Sequence, residues 1–269
     1  MLLPLAAAAA EHPVRAVRRI DPELVNRQPA IIDEAVASIA AHSAPGAQVY
    51  FLGFAGYGDE RVFAEEIDFA ADRVAARYHT GQRSLRLVND HRDAEKYPFA
   101  TVASLEYALD ALGRVMDEDD VLFIALSSHG SDDGTLAISN PGIRSGHLSA
   151  RQLADALEHA GIRWRIIVIS ACYSGSFIDA LANERTIVLT AAARDRPSFG
   201  CSDDRHLTYF GESFYRDALP ASRSLREAFE ATSAEITRRE SQEKRQPSLP
   251  QAFFGALAEE WLSQSIPAP

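Results

Sequence analysis

The chain has 269 residues, 46% of them apolar and 24% charged, the composition of a globular protein near the upper size of one α/β core. Its 38 acidic and 27 basic residues leave a formal charge of −11, which argues against binding nucleic acid through net positive charge. Two cysteines, Cys172 and Cys201, allow at most one disulfide, and no Cys/His spacing marks a zinc site, so a disulfide scaffold and a metal ribbon are excluded.

The first ten residues are apolar and end in an alanine run with no basic residue before it. They read as a partial or mis-started signal peptide, against a plain disordered or helical start. Residues 1–22 are therefore set apart from a domain at 23–269, and a periplasmic or secreted location is expected, with a cytoplasmic one left open. No apolar stretch reaches the roughly 20 residues of a membrane-spanning helix. From Glu23 to Ala41 apolar residues recur at helical spacing, and Pro29 confines the regular helix to the second part.

Short, nearly continuous apolar runs follow at Val49 to Phe54, Leu85 to Val88, Val121 to Leu126, Ile166 to Ile169 and Thr186 to Thr190, as expected of strands buried on both faces. Between them Phe63, Ile67, Ala70, Val74 and Tyr78 line one helix face, and Val102, Leu105, Leu109, Leu112 and Met116 another. Ser149-Ala-Arg-Gln152 is a capping box opening a further helix that stops at Gly161. A long polar helix from about Ser224 to Glu243 and a final apolar run, Ala252 to Leu257, give a helical C-terminal part. The alternation of strands and helices predicts an α/β fold, a mostly parallel central sheet between helical layers, with the site at the carboxyl ends of the strands.

The strand ends carry the chemistry. The first runs into Gly53-Phe-Ala-Gly-Tyr-Gly58, which lacks the dinucleotide fingerprint and reads as a tight turn. The third delivers His129-Gly130 and the fourth Cys172, followed by Tyr173-Ser-Gly-Ser176. Adjacent parallel strands lie about 4.8 Å apart, so the imidazole and thiol can serve one substrate. That pair suits acyl transfer: a thiolate attacks a carbonyl and an imidazole moves the proton. The start of the helix after Cys172, or Gly130, would supply oxyanion donors.

A hydrophobic strand ending in His-Gly, then another ending in Ala-Cys, resembles the caspase-like cysteine peptidases. Ser128-His129-Gly130 and Ser170-Ala-Cys-Tyr-Ser-Gly-Ser-Phe177 look most like the legumain (asparaginyl endopeptidase) family, in its bacterial branch. The resemblance extends from about Val49 to Phe254. It implies a caspase-like α-β-α sandwich, a Cys172–His129 dyad with Cys172 as nucleophile, an oxyanion held by the N–H groups of Gly130 and Cys172, no cofactor, and a peptide or protein substrate. It further implies a zwitterionic pocket for the substrate residue before the scissile bond (P1), with Arg61 as its arginine, Ser198 as its serine and Glu212 as an acid.

Three positions depart from the family pattern. Ser170 replaces the pocket glutamate two residues before the nucleophile, the asparagine that assists the histidine is replaced near Ala55, and Val62 stands for the histidine after the pocket arginine. Keeping Arg61 while losing an acid makes such a pocket more positive, which favours aspartate over asparagine. Other readings are an inactive scaffold module, a peptide ligase using the same dyad, and a nucleotide- or flavin-binding domain. Cys201 reads as a small buried hydrophobe beside the pocket, Asp132 and Asp133 as a solvated turn, and the remaining histidines as surface residues.

Overall fold

The computed structural model describes residues 22–39, 46–90, 92, 95–140 and 145–266. The expected extension at 1–22 lies outside them save for Pro22, as do Ala40 and Ala41 of the first predicted helix. That helix is two: α1 (Pro22–Asn26) and α2 (Gln28–Ala37). Pro29 falls in the first turn of α2, where its absent N–H leaves no helical bond unmade.

Strand and helix then alternate through β1 (Val49–Ala55), α3 (Arg61–Tyr78), β2 (Ser84–Val88), α4 (Val102–Val115) and β3 (Val121–Ser127). A hairpin of β4 (Thr135–Ile138) and β5 (Gly146–Ser149) follows, then α5 (Ala150–His159) and β6 (Trp164–Ser170). Beyond β6 come a 3₁₀ turn (Ser174–Phe177), α6 (Ile178–Leu181) and β7 (Thr186–Thr190). The Ser149 hydroxyl accepts from Gln152 N and the Gln152 side chain answers the Ser149 N–H, so the predicted capping box starts α5, an arrangement worth about 1 kcal/mol.

The chain goes on through α7 (Tyr209–Gly211), a π-helical stretch (Glu212–Ala218), α8 (Leu219–Ala221), α9 (Leu225–Gln242), β8 (Gln251–Phe254) and α10 (Ala256–Ser265). The last apolar run thus divides between a strand and a helix rather than staying helical. Its residues Gln251–Phe254 pair antiparallel with β7 and cover that strand's outer edge.

The six-stranded sheet has the order β2-β1-β3-β6-β7-β8, parallel in its first five strands. Period-two alternation sorts each strand between two cores. Tyr50, Leu52 and Phe54 of β1 face Ile32, Leu105, Leu109, Leu153 and Leu157 of α2, α4 and α5. Val49 and Phe51 face Phe63, Ile67 and Val74 of α3, with Phe210, Phe214 and Ile236 behind them. This is the expected three-layer α-β-α sandwich of caspase-like type. From β1 the chain moves out to β2 and returns across β1 to β3, so the sheet reverses direction between β1 and β3. Such a switch point opens a crevice at the carboxyl ends of those strands.

Candidate active site

His129 and Cys172 are brought to one edge by strand register. Ser127, the last residue of β3, pairs with Ser170, the last of β6, and Ser128 N donates to Ser170 O at 3.3 Å. Each candidate therefore stands two residues beyond the same rung of the ladder. Gly130 completes the approach. A Cβ built there would lie 1.9 Å from the Cys172 carbonyl oxygen, so only glycine fits. Gly130 also faces Leu136 of the hairpin as an antiparallel bridge, flanked by Ala137 N to His129 O at 2.8 Å and Ser131 N to Thr135 O at 3.0 Å. In that arrangement its own N–H is not used by the hairpin and is left as a donor beside Cys172.

Immediately after Cys172 the chain turns sharply. Tyr173 takes the left-handed conformation (φ 57°, ψ 14°), rare for a side chain of its size and a form of strain that clusters at functional sites. Tyr173 N donates to Arg196 O and Gly175 N to Ala192 O, both at 2.8 Å, so the turn is tied to the segment that follows β7. On that same segment Ser198 N donates to Cys172 Sγ at 3.2 Å, and the Ser198 hydroxyl lies 3.7 Å from the sulfur. The Sγ–H in turn faces the Ser198 carbonyl oxygen at 3.5 Å, so Ser198 meets the sulfur with both donors and an acceptor. The helix expected after Cys172 is a four-residue 3₁₀ turn and a four-residue α6, so local N–H groups rather than a long helix dipole act on this end.

The imidazole of His129 is held edge-on by two rings, Tyr57 at 4.7 Å and Phe63 at 5.0 Å between centroids. Its Nε2 stands 3.1 Å from Oε2 of Glu60. That oxygen is screened from solvent and has no well-aligned hydrogen bond, so its contact with His129 is one of distance and charge. Burial pushes the Glu60 carboxyl above its ordinary range; the charge of His129 opposes this, and Asp203 and Asp59 add to it. The resemblance implies that the assisting asparagine is replaced near Ala55, and the sequence did not single out Glu60, the acid that the structure sets beside His129. The available signal was an acid closing the turn after β1, at the N-cap of α3.

The pocket candidates divide. Ser198 touches the sulfur. Ser170 is buried, its hydroxyl 2.8 Å from that of Thr208. Thr208 in turn donates from N (2.8 Å) and Oγ1 (2.7 Å) to Glu66, which also accepts from the Ser127 hydroxyl at 2.9 Å. Glu66 is wholly enclosed, and burial raises its carboxyl despite these donors. A carboxylate from α3 thus lies behind Ser170 and ties the ends of β3 and β6 to Thr208.

Arg61 and Glu212 meet different partners. Arg61 donates from N to Asp203 Oδ1 (2.9 Å) and from Nη2 to Asp203 O (3.0 Å), its Nε 3.7 Å from Glu65 and without a hydrogen bond. Glu212 sits among Arg205 (2.7 Å), Arg216 (2.5 Å) and Arg239 (2.6 Å). Burial would raise its carboxyl, but hydrogen bonds from Arg239 and Arg216 and the charge of Arg205 hold it below the ordinary range. Both cysteines are free and half-buried, and Cys201 packs against the core on the α3 side. Burial, then the neighbouring Cys172 and Glu60, pushes the Cys201 thiol up, which makes it the less reactive kind. No group of three or more His, Cys, Asp or Glu among the described residues is arranged to hold a metal ion, and Asp133 is occupied by Ser131 and Thr135 in its turn.

The sequence matches the family described as Peptidase C13 over residues 91–259, well over half of the chain. The chain belongs to the peptidase C13 family. This is the legumain family, whose members are cysteine peptidases. The matched stretch of this C13 chain holds His129, Gly130, Ser170, Cys172, Ser198 and Glu212, whereas Glu60 and Arg61 precede it. No curated protein matches the chain. Among solved structures it is similar to Chaetomium thermophilum Raptor, at 10% identity and a TM-score of 0.43, over 79% of this chain and 23% of that one. The chain thus spans about a quarter of that protein's length. No helix among the described residues is long and apolar enough to cross a membrane.

Proposed function

We propose that this C13 chain is a cysteine endopeptidase whose nucleophile is Cys172 and whose acid–base group is His129. The observation that carries the reading is the shared rung Ser127–Ser170, which sets both residues just beyond the carboxyl ends of two adjacent strands, β3 and β6. The Cys172 Sγ–H gives its proton to the imidazole, and the sulfur attacks the substrate carbonyl carbon. The oxyanion takes hydrogen bonds from the N–H groups of Gly130 and Cys172. Collapse breaks the C–N bond, the imidazolium protonates the departing amine, and a thioester remains. Water, deprotonated by His129, then releases the acid and restores the thiol.

Specificity is read from Arg61. It follows Glu60, the residue beside His129, and its guanidinium is held to the loop at Asp203, which supports a cationic group on this side of the site for an acidic P1 side chain. With serine rather than an acid at 170, aspartate is preferred to asparagine at P1. The Ala171-Cys172-Tyr173-Ser174-Gly175-Ser176 turn supports a place in the bacterial branch of the family, and the apolar alanine-rich start supports action in the periplasm or outside the cell. The test is a substrate-library profile of the purified protein beside Cys172→Ala. Cleavage after Asp by the wild type alone is expected. Equal activity in the two proteins contradicts the nucleophile, and cleavage after Asn at least as fast as after Asp contradicts the preference.

A further inference from the structure

We infer that Glu60 is the positioning residue of His129, a carboxylate that fixes the imidazole through Nε2 and leaves Nδ1 as the nitrogen that exchanges the thiol's proton. The inference rests on the proposed roles of Cys172 and His129 and adds a third group that the sequence left unassigned.

Three observations support it. First, the His129 Nε2 to Glu60 Oε2 distance is 3.1 Å, and this oxygen is buried from solvent without a well-aligned hydrogen bond, so the imidazole N–H stands within reach of an acceptor that needs a donor. Second, the ring has little freedom. Tyr57 and Phe63 close on it edge-to-face at 74° and 79°, and the backbone of His129 is tied to the hairpin through Ala137 N at 2.8 Å. Third, Glu60 is itself held. It is the N-cap of α3, and the next residue, Arg61, clamps Asp203 with both its backbone N–H and its guanidinium. The carboxylate therefore belongs to a fixed junction between β1, α3 and the loop at 201–206.

The chemistry follows from the tautomer. A neutral imidazole that carries its proton on Nε2, facing Glu60, has its lone pair on Nδ1. When Nδ1 takes the Cys172 proton, the imidazolium so formed lies against a carboxylate, which stabilises it by charge as well as by hydrogen bond. A neutral amide would orient the ring but supply no charge. The charged and titratable groups around Glu60 are Tyr57 and Asp59 on the preceding turn, Arg61 after it, His129 beyond β3, and Cys201 and Asp203 on the facing loop.

Glu60→Ala and Glu60→Gln test this in the full-length protein, with thermal unfolding as the control for folding. For Glu60→Ala, kcat is expected to fall about 100-fold with KM changed less than threefold, and Glu60→Gln, which keeps an acceptor oxygen, is expected to recover about tenfold of that loss. The long-range nitrogen NMR signals of His129 give a readout that needs no activity. They are expected to show the proton on Nε2 in the wild type and a mixture of tautomers in Glu60→Ala. A wild-type proton on Nδ1, tautomers unchanged in Glu60→Ala, or kcat within threefold of wild type in a folded Glu60→Ala overturns the inference. If the wild type cleaves no peptide, the peptidase reading fails while the tautomer measurement still decides the role of Glu60.

Discussion

Replacing Gly130 by alanine perturbs the contact between the strand ends that carry His129 and Cys172 with a single methyl group. That Cβ would stand 1.9 Å from the Cys172 carbonyl oxygen and 3.0 Å from its carbonyl carbon. Reaching even a 3.0 Å separation from the oxygen demands a displacement of about 1.1 Å. Neither backbone is free to yield, because Tyr173 N is bonded to Arg196 O at 2.8 Å and the Gly130 strand to the hairpin at 2.8 and 3.0 Å on either side. The shift therefore falls on Cys172, on the Gly130 N–H and on His129. A 1 Å misplacement of reacting groups costs about 100-fold in rate, and overpacking of this kind costs about 1–3 kcal/mol in stability. The assay is kcat/KM on a fluorogenic peptide together with the rate of Cys172 alkylation, on protein shown by circular dichroism to be folded. A folded Gly130→Ala within threefold of wild type in both would refute the close approach.

Glu66→Ala leaves the Thr208 N–H, the Thr208 hydroxyl and the Ser127 hydroxyl without their buried acceptor, and is expected to cost about 3–5 kcal/mol, with Glu66→Gln costing less. Urea unfolding followed by fluorescence of the stacked Trp164 and Trp261, 5.1 Å apart, reads the change, and a loss below about 1 kcal/mol contradicts it. Glu212 ionises lower in the folded protein than in the unfolded chain, so its stabilisation is present at neutral pH and is lost as pH falls through the folded value. Glu212→Gln should therefore lower stability by about 2 kcal/mol at pH 7 and converge on wild type in acid; a difference that stays constant with pH argues against the arginine cluster as its cause.

The sheet was legible because buried parallel strands are almost wholly apolar. β7 agrees with the predicted run Thr186 to Thr190, and β1, β3 and β6 exceed theirs by one to three residues at the ends. β8 was hidden because Gln251–Phe254 is a half-exposed edge strand whose pairing with β7 is a long-range contact that local pattern does not encode. His129 and Cys172 were visible as reactive side chains at the ends of apolar runs. Glu60 was not, because its role depends on how α3 departs from β1, and an acid before a helix reads equally well as a surface cap. Glu66 was obscured for another reason. Helical spacing put it next to the apolar stripe of α3, and only the packing of Ser127, Thr208 and Gly211 around it shows that it is buried.

The most direct test of the central claim is intact-mass and peptide-mapping analysis after treatment with a peptidyl acyloxymethyl ketone carrying Asp at P1. The account predicts one adduct, on the Cys172 sulfur, absent from Cys172→Ala and strongly slowed in His129→Ala, with Cys201 unmodified. An adduct on Cys201, or undiminished labelling and peptide cleavage in Cys172→Ala, would contradict it.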